Sequence, residues 1–204
     1  LLVFGRRAAH SAIEHLQSTQ AKEDSAAIEA AADGAQARIR SLFLKTGATE
    51  TIAGLRREMM QIMEEHAGIY RTGEGMQQAC DTLAGLRERY RSLDVEDKSR
   101  VFNTDWLLAI ELGYQLEVAQ AMAVSALHRR ESRGAHQRLD GYTARDDAGF
   151  LKHTLARYAG ADAPVIDYGN VKITRLAPAV RAYGAAAEQS EAARAAAAPQ
   201  GQAG

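Results

Sequence analysis

The sequence predicts a mainly α protein, with a helical bundle domain followed by a small C-terminal α+β domain that holds a short antiparallel hairpin. Apolar residues recur at helical intervals up to about residue 130, and the most apolar stretch runs from Thr104 to about Arg129. All three prolines lie in the last quarter of the chain, which suits long uninterrupted helices before it. Two short strand-like runs then flank a turn at residues 160–162.

The composition fits a globular protein and excludes several classes of function. The 204 residues include 46% apolar and 25% charged side chains, and their formal net charge is −1. This balance provides neither a basic footprint for nucleic acid nor a polybasic membrane anchor. The longest apolar run is far shorter than the roughly 20 residues that span a bilayer. The single cysteine, Cys80, excludes an internal disulfide and suits a reducing compartment.

Three amphipathic helices are predicted in the first third of the chain. The first covers residues 1 to about 17, and a polar loop at 18–24 leads to the second, which Asp24 or Ser25 caps. The second helix has the apolar stripe Ile28, Ala31, Ala32, Ala35, Ile39, Leu42 and Phe43, and it ends before Gly47. Thr49 then caps a third helix, with the stripe Ile52, Leu55, Met59, Ile62, Met63 and His66.

The fourth and fifth helices should supply most of the core. Thr72 caps the fourth, whose inner face is predicted to carry Met76, Ala79, Cys80, Leu83, Leu86 and Tyr90. The fifth begins at Thr104, with Asp105 in its first turn and cations at its end, as the helix dipole favours. Its large apolar side chains cover nearly all faces, so we expect the other helices to surround it.

The C-terminal quarter is predicted to be different in kind. Residues 150–158 and 165–175 are typical of two short strands around a turn at Gly160. A tight turn or bulge at Gly169 and Asn170 is expected before 171–173. From residue 185 the chain is rich in Ala, Gln, Glu and Gly, which predicts a disordered tail.

A search for cofactor or metal motifs finds little. The run from Gly73 to Gln78 lacks the third glycine and the preceding strand of a dinucleotide-binding turn. No metal site is predicted, because His10 and His15 are five residues apart, which is wrong for one helical face. Cys80 falls in the apolar stripe of its helix, so it is interpreted as a small buried hydrophobe.

The segment Glu131–His136 contains the only candidate site residues, Arg133 and His136. In a glycine-containing loop these two side chains could bind an anion or could tie the loop to neighbouring carbonyls, and the residues alone favour the structural role. Two arrangements stay open for Arg133. It could belong to an internal network with nearby acids, or it could face another domain, an arrangement slightly favoured because Gly134 permits close backbone approach.

The amino-acid sequences of several segments resemble those of a known protein family. VFNTDWLLAIELGYQLEVAQ, ESRGAHQRLD and FLKHTL, followed by RLAPAVRAYG, closely resemble the C-terminal third of the flavoprotein subunit of fumarate reductase and succinate dehydrogenase, fumarate reductase above all. The opening LLVFGRRA resembles the last helix of that subunit's flavin-binding domain. The resemblance thus implies this helix at 1–17, the helical bundle at 18–130 and the small domain at 131–184, and the composition adds the tail at 185–204. With no Met before Met59, we expect the chain to be part of a longer protein.

The resemblance also implies a function for that longer protein. Its parent would interconvert fumarate and succinate by hydride transfer at FAD and exchange electrons with a quinone pool. The expected partners are the flavin-binding domain, an iron–sulfur subunit and membrane anchor subunits, at the cytoplasmic face of the inner membrane. The family's catalytic groups lie before Leu1, so no catalytic residue and no bound FAD are expected in this chain. Arg133 and His136 become domain-interface candidates. The alternative hypothesis is a non-enzymatic helical adaptor or interaction module.

Overall fold

The computed structural model describes residues 2–19, 24–47, 49–160, 162–175 and 178. Within these residues the chain is mainly α, with two small two-stranded sheets, and the predicted fold class is confirmed. The helices are α1 (Leu2–Ser18), α2 (Ser25–Leu44), α3 (Ile52–Ala67), α4 (Gly73–Tyr90), α5 (Thr104–His128) and α6 (Asp147–Phe150). The strands are β1 (Tyr70–Arg71), β2 (Gln137–Arg138), β3 (Lys152–Arg157) and β4 (Val165–Asn170).

The core lies between α3, α4 and α5. Their inward-facing apolar side chains form one cluster, which Leu93 and Val95 from the α4–α5 connection complete. The predicted stripe of α4 is confirmed, because Met76, Leu83 and Leu86 are almost fully buried. Burial of one such side chain stabilises the fold by roughly 1.5–3 kcal/mol.

Helices α2, α3 and α4 each begin after a residue whose side chain caps the helix. One of the predicted capping residues was wrong. Asp24 caps α2 and Thr72 caps α4, each accepting a hydrogen bond from a backbone N–H three residues on. α3 begins after Thr51, whose hydroxyl accepts from the N–H of Gly54 at 3.1 Å, and not after Thr49. The reason is that Glu50 is still extended and forms a parallel β-bridge with Leu93.

α5 is central to the bundle but is not surrounded by it, contrary to the prediction. One side packs against α3 and α4 and is buried at Ala109, Leu112, Leu116, Ala119, Ala123 and Val124. The opposite side is more than half exposed at Leu107, Tyr114, Val118 and Met122. Ile110, one of the large apolar side chains of this helix, is only partly buried. The described neighbours therefore cover one face of a helix that is apolar all round.

α1 and α2 have amphipathic sequences whose apolar stripes are mostly exposed. α1 has no buried residue, and Phe4 is 72% exposed. In α2 only Leu42 is buried, whereas Ile28 is 64% exposed. The C-terminal end of α2 docks on α5, where Phe43 lies 5.1 Å from the Trp106 ring. The predicted stripe of α2 is thus used only in its last turns.

The predicted hairpin is present but is shorter than expected. β3 and β4 pair antiparallel from Lys152–Asn170 to Arg157–Val165, and Gly160 has a φ of 69° in the connection. Phe150, predicted in the first strand, belongs instead to α6, which Asp146 caps. Residues 171–173 are not a strand. Arg87 of α4 fixes the hairpin by donating to the carbonyl of Gly160 at 2.7 Å.

Two predictions fall largely or wholly outside the described residues. These are the closing segment at 178–184, apart from an exposed Pro178, and the disordered tail at 185–204. The boundary at residue 131 stays a prediction, although β1 pairs in parallel with β2 and so joins a segment of the predicted bundle to one of the predicted small domain. In the part of the chain that the structure describes, no helix has the length and hydropathy to cross a membrane.

Candidate functional site

The segment that carries Arg133 and His136 is a tight loop between α5 and β2. The backbone N–H of Arg133 donates to the His136 carbonyl at 2.9 Å, and the return bond from His136 to the Arg133 carbonyl measures 3.1 Å. Gly134 sits in the turn with a φ of 61°, a left-handed conformation that costs glycine little. Glu131, Ser132 and His136 of this segment are buried, whereas Ala135 at the turn is exposed.

Glu131 is the centre of an ion-pair network inside this loop. Its side chain is fully buried, and one carboxylate oxygen accepts from Arg129 Nη1 at 2.5 Å and from Arg133 Nε at 2.8 Å. The other oxygen accepts from Arg133 Nη2 at 3.0 Å and from the N–H of Asp146 at 2.8 Å. Burial would raise the pKa of Glu131, but the bonds from Arg133, from the Asp146 amide and from Arg129 outweigh it and lower the pKa. Glu131 is therefore a carboxylate.

The network extends from Arg133 to the next loop. Arg133 Nη2 also reaches Asp147 at 2.6 Å, and Arg145 pairs with the same carboxylate at 2.7 Å. Hydrogen bonding to Glu131 raises the pKa of Arg133. The internal network, one of the two arrangements that the sequence left open, is thus present. The side chain of Arg133 keeps 27% of its surface exposed, so it lies at the edge of this cluster.

A second ion pair joins the ends of two helices. Arg138, only 3% exposed, holds Asp140 with two bonds of 2.7 and 2.6 Å and donates to the carbonyl of Arg129 at 3.2 Å, just past the end of α5. Asp140 in turn accepts from the N–H of Gly73, the first residue of α4, at 2.5 Å. Arg138 holds the pKa of Asp140 at about 2. Each charge lies where the dipole of the adjacent helix favours it.

His136 connects the loop to β1. It is buried, its Nε2 lies 3.0 Å from the carbonyl of Arg129, and its Nδ1 lies 2.8 Å from Arg71 Nη1. Because arginine can only donate, Nδ1 must accept and Nε2 must carry the proton. Burial lowers the pKa of His136, and the nearby positive charge of Arg71 adds to this effect. The ring is therefore neutral.

The described residues hold no group of three or more His, Cys, Asp or Glu side chains that could bind a metal ion. A two-residue strand, β1, does precede Gly73, contrary to the sequence-based prediction. The first turn of α4 is nevertheless occupied by the carboxylate of Asp140. Cys80 is buried, and burial raises the pKa of its thiol to about 11, which fits the predicted structural role. Chemically, the arrangement around Glu131 fixes a loop.

Sequence reasoning found Arg133, His136 and the acids near them but missed the partners across the fold. Arg71 lies 65 residues before His136, and Gly73 lies 67 residues before Asp140. Neither pair has a spacing that indicates contact. The sequence contains only an indirect signal of such partners. Several cations lie close together around Arg129, and their repulsion has to be offset by carboxylates or carbonyls.

Comparison with known proteins decides the family. The model of the fumarate reductase flavoprotein C-terminal family matches residues 56–183, which include most of α3 and all of α4, α5, the network and the hairpin. The chain belongs to this family. The resemblance seen in the sequence is therefore confirmed.

Three relatives show how far the similarity extends. The fumarate reductase flavoprotein subunit of a Serratia species is 51% identical over 94% of this chain and 32% of its own length. The succinate dehydrogenase flavoprotein subunit of Rickettsia bellii is 35% identical over 89% of this chain and 30% of its own length. A solved Escherichia coli quinol fumarate reductase variant superposes with a TM-score of 0.79 and 49% identity, over 87% of this chain and 30% of that one. The chain thus spans about a third of the curated relatives that it matches.

Proposed function

We propose that this family member forms the C-terminal helical bundle and small domain of a fumarate reductase flavoprotein subunit. The observation that carries the choice of fumarate reductase is the difference in identity, 51% to the Serratia fumarate reductase subunit against 35% to the Rickettsia succinate dehydrogenase subunit. The whole subunit would interconvert fumarate and succinate, with FAD as the hydride carrier. FAD would bind in the flavin domain, outside these residues.

The chain's own role in this proposal is to build a rigid face for other parts of the complex. Glu131 and its guanidinium partners fix the loop after α5, and Arg133 lies at the edge of that cluster with part of its surface open. Arg133 and His136 are proposed as domain-interface residues. Arg133 would contact the flavin domain directly, whereas the buried His136 would act by holding the loop in position.

The partners follow from the proposed enzyme. An iron–sulfur subunit would carry electrons between the flavin and membrane anchor subunits, and a quinone pool would exchange those electrons. The support is that a structural relative is a quinol fumarate reductase, whose electron donor is quinol. In this proposal the subunit lies at the cytoplasmic face of the inner membrane and is held there by its partners.

The test is the activity of the full-length subunit that ends in this sequence. The subunit is purified with its iron–sulfur partner, and fumarate-dependent oxidation of a reduced viologen dye is compared with succinate-dependent dye reduction. We expect about one FAD per subunit and faster turnover with fumarate. Bound FAD with turnover of neither dicarboxylate would contradict the proposal, and faster succinate oxidation would assign the subunit to succinate dehydrogenase instead. The 204-residue chain alone is the matched control.

A further inference from the structure

Arg71 differs from three other arginines around the loop after α5 that are at least partly buried. Arg129, Arg133 and Arg138 each pair with a carboxylate. Arg71 forms no ion pair within the described residues, where it donates only to the carbonyl of Gly68 and to His136 Nδ1. Its side chain is partly buried, and that burial lowers the pKa of its guanidinium. A partly desolvated cation without a counter-charge is costly.

One nitrogen of Arg71 is available for another group. Nη2 has no hydrogen-bond partner among the described residues. In the same residues, every fully buried side-chain nitrogen or oxygen does have a partner. Nη2 must therefore reach an open surface. Arg71 also lines a groove of about 480 Å³ between α3, α5 and β3, together with Arg129 and His136.

The rest of the groove is apolar and uncovered. Val118 and Met122 of α5 line it and are 59% and 55% exposed, and Met63 of α3 lines it as well. At the polar end of the groove, Arg71 is left without a negative partner. Glu131 already pairs with Arg129 and Arg133, and His136 is neutral. The groove thus presents one positive charge beside an apolar wall, which fits a carboxylate carried among apolar side chains.

We propose that this groove receives an Asp or Glu side chain, flanked by apolar residues, from the part of the longer subunit outside these 204 residues. The inference rests on the proposed function, in which this chain is one part of a longer polypeptide. The Serratia relative offers ample chain for the contact, since about two thirds of its length lies outside the match. The carboxylate completes the ion pair of Arg71, and its apolar flanks cover Val118 and Met122.

The test is residue-resolved labelling of arginine with phenylglyoxal, read by peptide mass spectrometry, in the 204-residue chain and in the full-length subunit. Arg71 should react in the short chain and about tenfold or more slowly in the full subunit, the protection that one charge-assisted hydrogen bond provides. Exposed Arg100 should react in both proteins, and buried Arg138 should react slowly in both. Equal rates for Arg71 in the two proteins would overturn the proposal.

Protection of Arg71 already in the short chain would also overturn it. If that protection rises with protein concentration, the occupant is a second copy. If a chain ending at residue 175 loses it, the occupant is a carboxylate of the chain's own last residues, such as Glu188 or Glu191. Both proteins are dialysed before labelling, so that a small anion from the buffer does not cause this protection.

Substitution tests whether charge matters. Arg71→Gln should lower the unfolding midpoint of the full subunit by more than that of the short chain, and Arg71→Lys, which keeps the charge, should lie between wild type and Arg71→Gln. The same shift in both proteins would mean that Arg71 acts only within this chain and would overturn the proposal. FAD content and fumarate turnover, measured on the same full-length samples, report separately on the proposed function.

Discussion

Glu131 keeps a full negative charge inside the protein because three residues satisfy it. Arg133, Arg129 and the N–H of Asp146 together occupy both carboxylate oxygens. Removal of one partner from a buried ion pair leaves a charge with neither water nor a counter-charge around it. This destabilises the fold by more than the loss of the contact itself. The residues around Glu131 therefore depend strongly on one another.

Arg133→Ala should destabilise the 204-residue chain. Glu131 would lose two of its hydrogen bonds and Asp147 would lose one, while Arg129 and the Asp146 amide remain. We expect the free energy of unfolding to fall by about 3 kcal/mol, at the lower end of the range for a broken buried pair. Urea melts at neutral pH measure this loss, and Arg100→Ala, at an exposed position of the α4–α5 connection, is the control. Indistinguishable melts for the two variants would mean that Arg133 acts only at an interface.

The pair of Arg138 and Asp140 should make stability depend on pH in a defined window. The folded protein holds the pKa of Asp140 at about 2, below its ordinary value of 3.8, so the pair stabilises the fold fully above the ordinary value. That stabilisation is lost as pH falls through the folded pKa. The stability difference between wild type and Asp140→Asn should thus be constant near neutrality and shrink below about pH 4. Denaturant melts at a series of pH values measure it, and a difference that does not change with pH would contradict the assignment.

At the scale of elements, helices were predicted better than their surroundings. Periodicity located α3, α4 and α5, because apolar residues three and four apart share a face whatever lies opposite. The predicted cap, Thr49, was wrong, because a threonine hydroxyl can cap a helix at either position and the bridge between Glu50 and Leu93 places the start after Thr51. The pairing of β1 with β2 was missed for a similar reason, as two-residue strands more than 60 positions apart leave no periodic signal.

The candidate site was predicted in the same partial way. The loop, its cations and its nearby acids could be read from residues 129–147, because they are close in the chain. The roles of Arg71 and Gly73 could not, because they arise where β1 and the start of α4 meet the loop in space. Local contacts follow from sequence spacing, whereas contacts between elements follow from packing.

The two faces of α5 give a direct test of where the core lies. Leu112 is 1% exposed and belongs to the main cluster, so Leu112→Ala should lower the free energy of unfolding by about 2–5 kcal/mol. Ile110 is only partly buried, so Ile110→Ala should lower the free energy of unfolding by clearly less than Leu112→Ala does. Ala192→Gly, outside the described residues, is predicted to have no measurable effect. Urea melts of the three variants rank them, and an Ile110→Ala loss equal to that of Leu112→Ala would return Ile110 to the core.

At the scale of the whole molecule, the exposed apolar side chains share a cause. Phe4 on α1, Ile28 on α2, and Tyr114 and Val118 on α5 are each more than half exposed although each belongs to a helix. Large uncovered apolar surfaces of this kind mark interaction sites in soluble proteins. In the full-length subunit that we propose, further domains and partner subunits would cover these surfaces.

The chain alone is therefore expected to bind no FAD and to reduce no fumarate. A dinucleotide needs backbone N–H groups free at a helix start after a glycine-rich turn. The one comparable place among the described residues, the first turn of α4, already has the Asp140 carboxylate on the N–H of Gly73 and the Thr72 hydroxyl on that of Gly75. Purified chain mixed with FAD and passed through a desalting column should retain no flavin absorbance, and reduced viologen should stay reduced when fumarate is added. Stoichiometric flavin retained at neutral pH would refute this prediction and would place a cofactor site within these 204 residues.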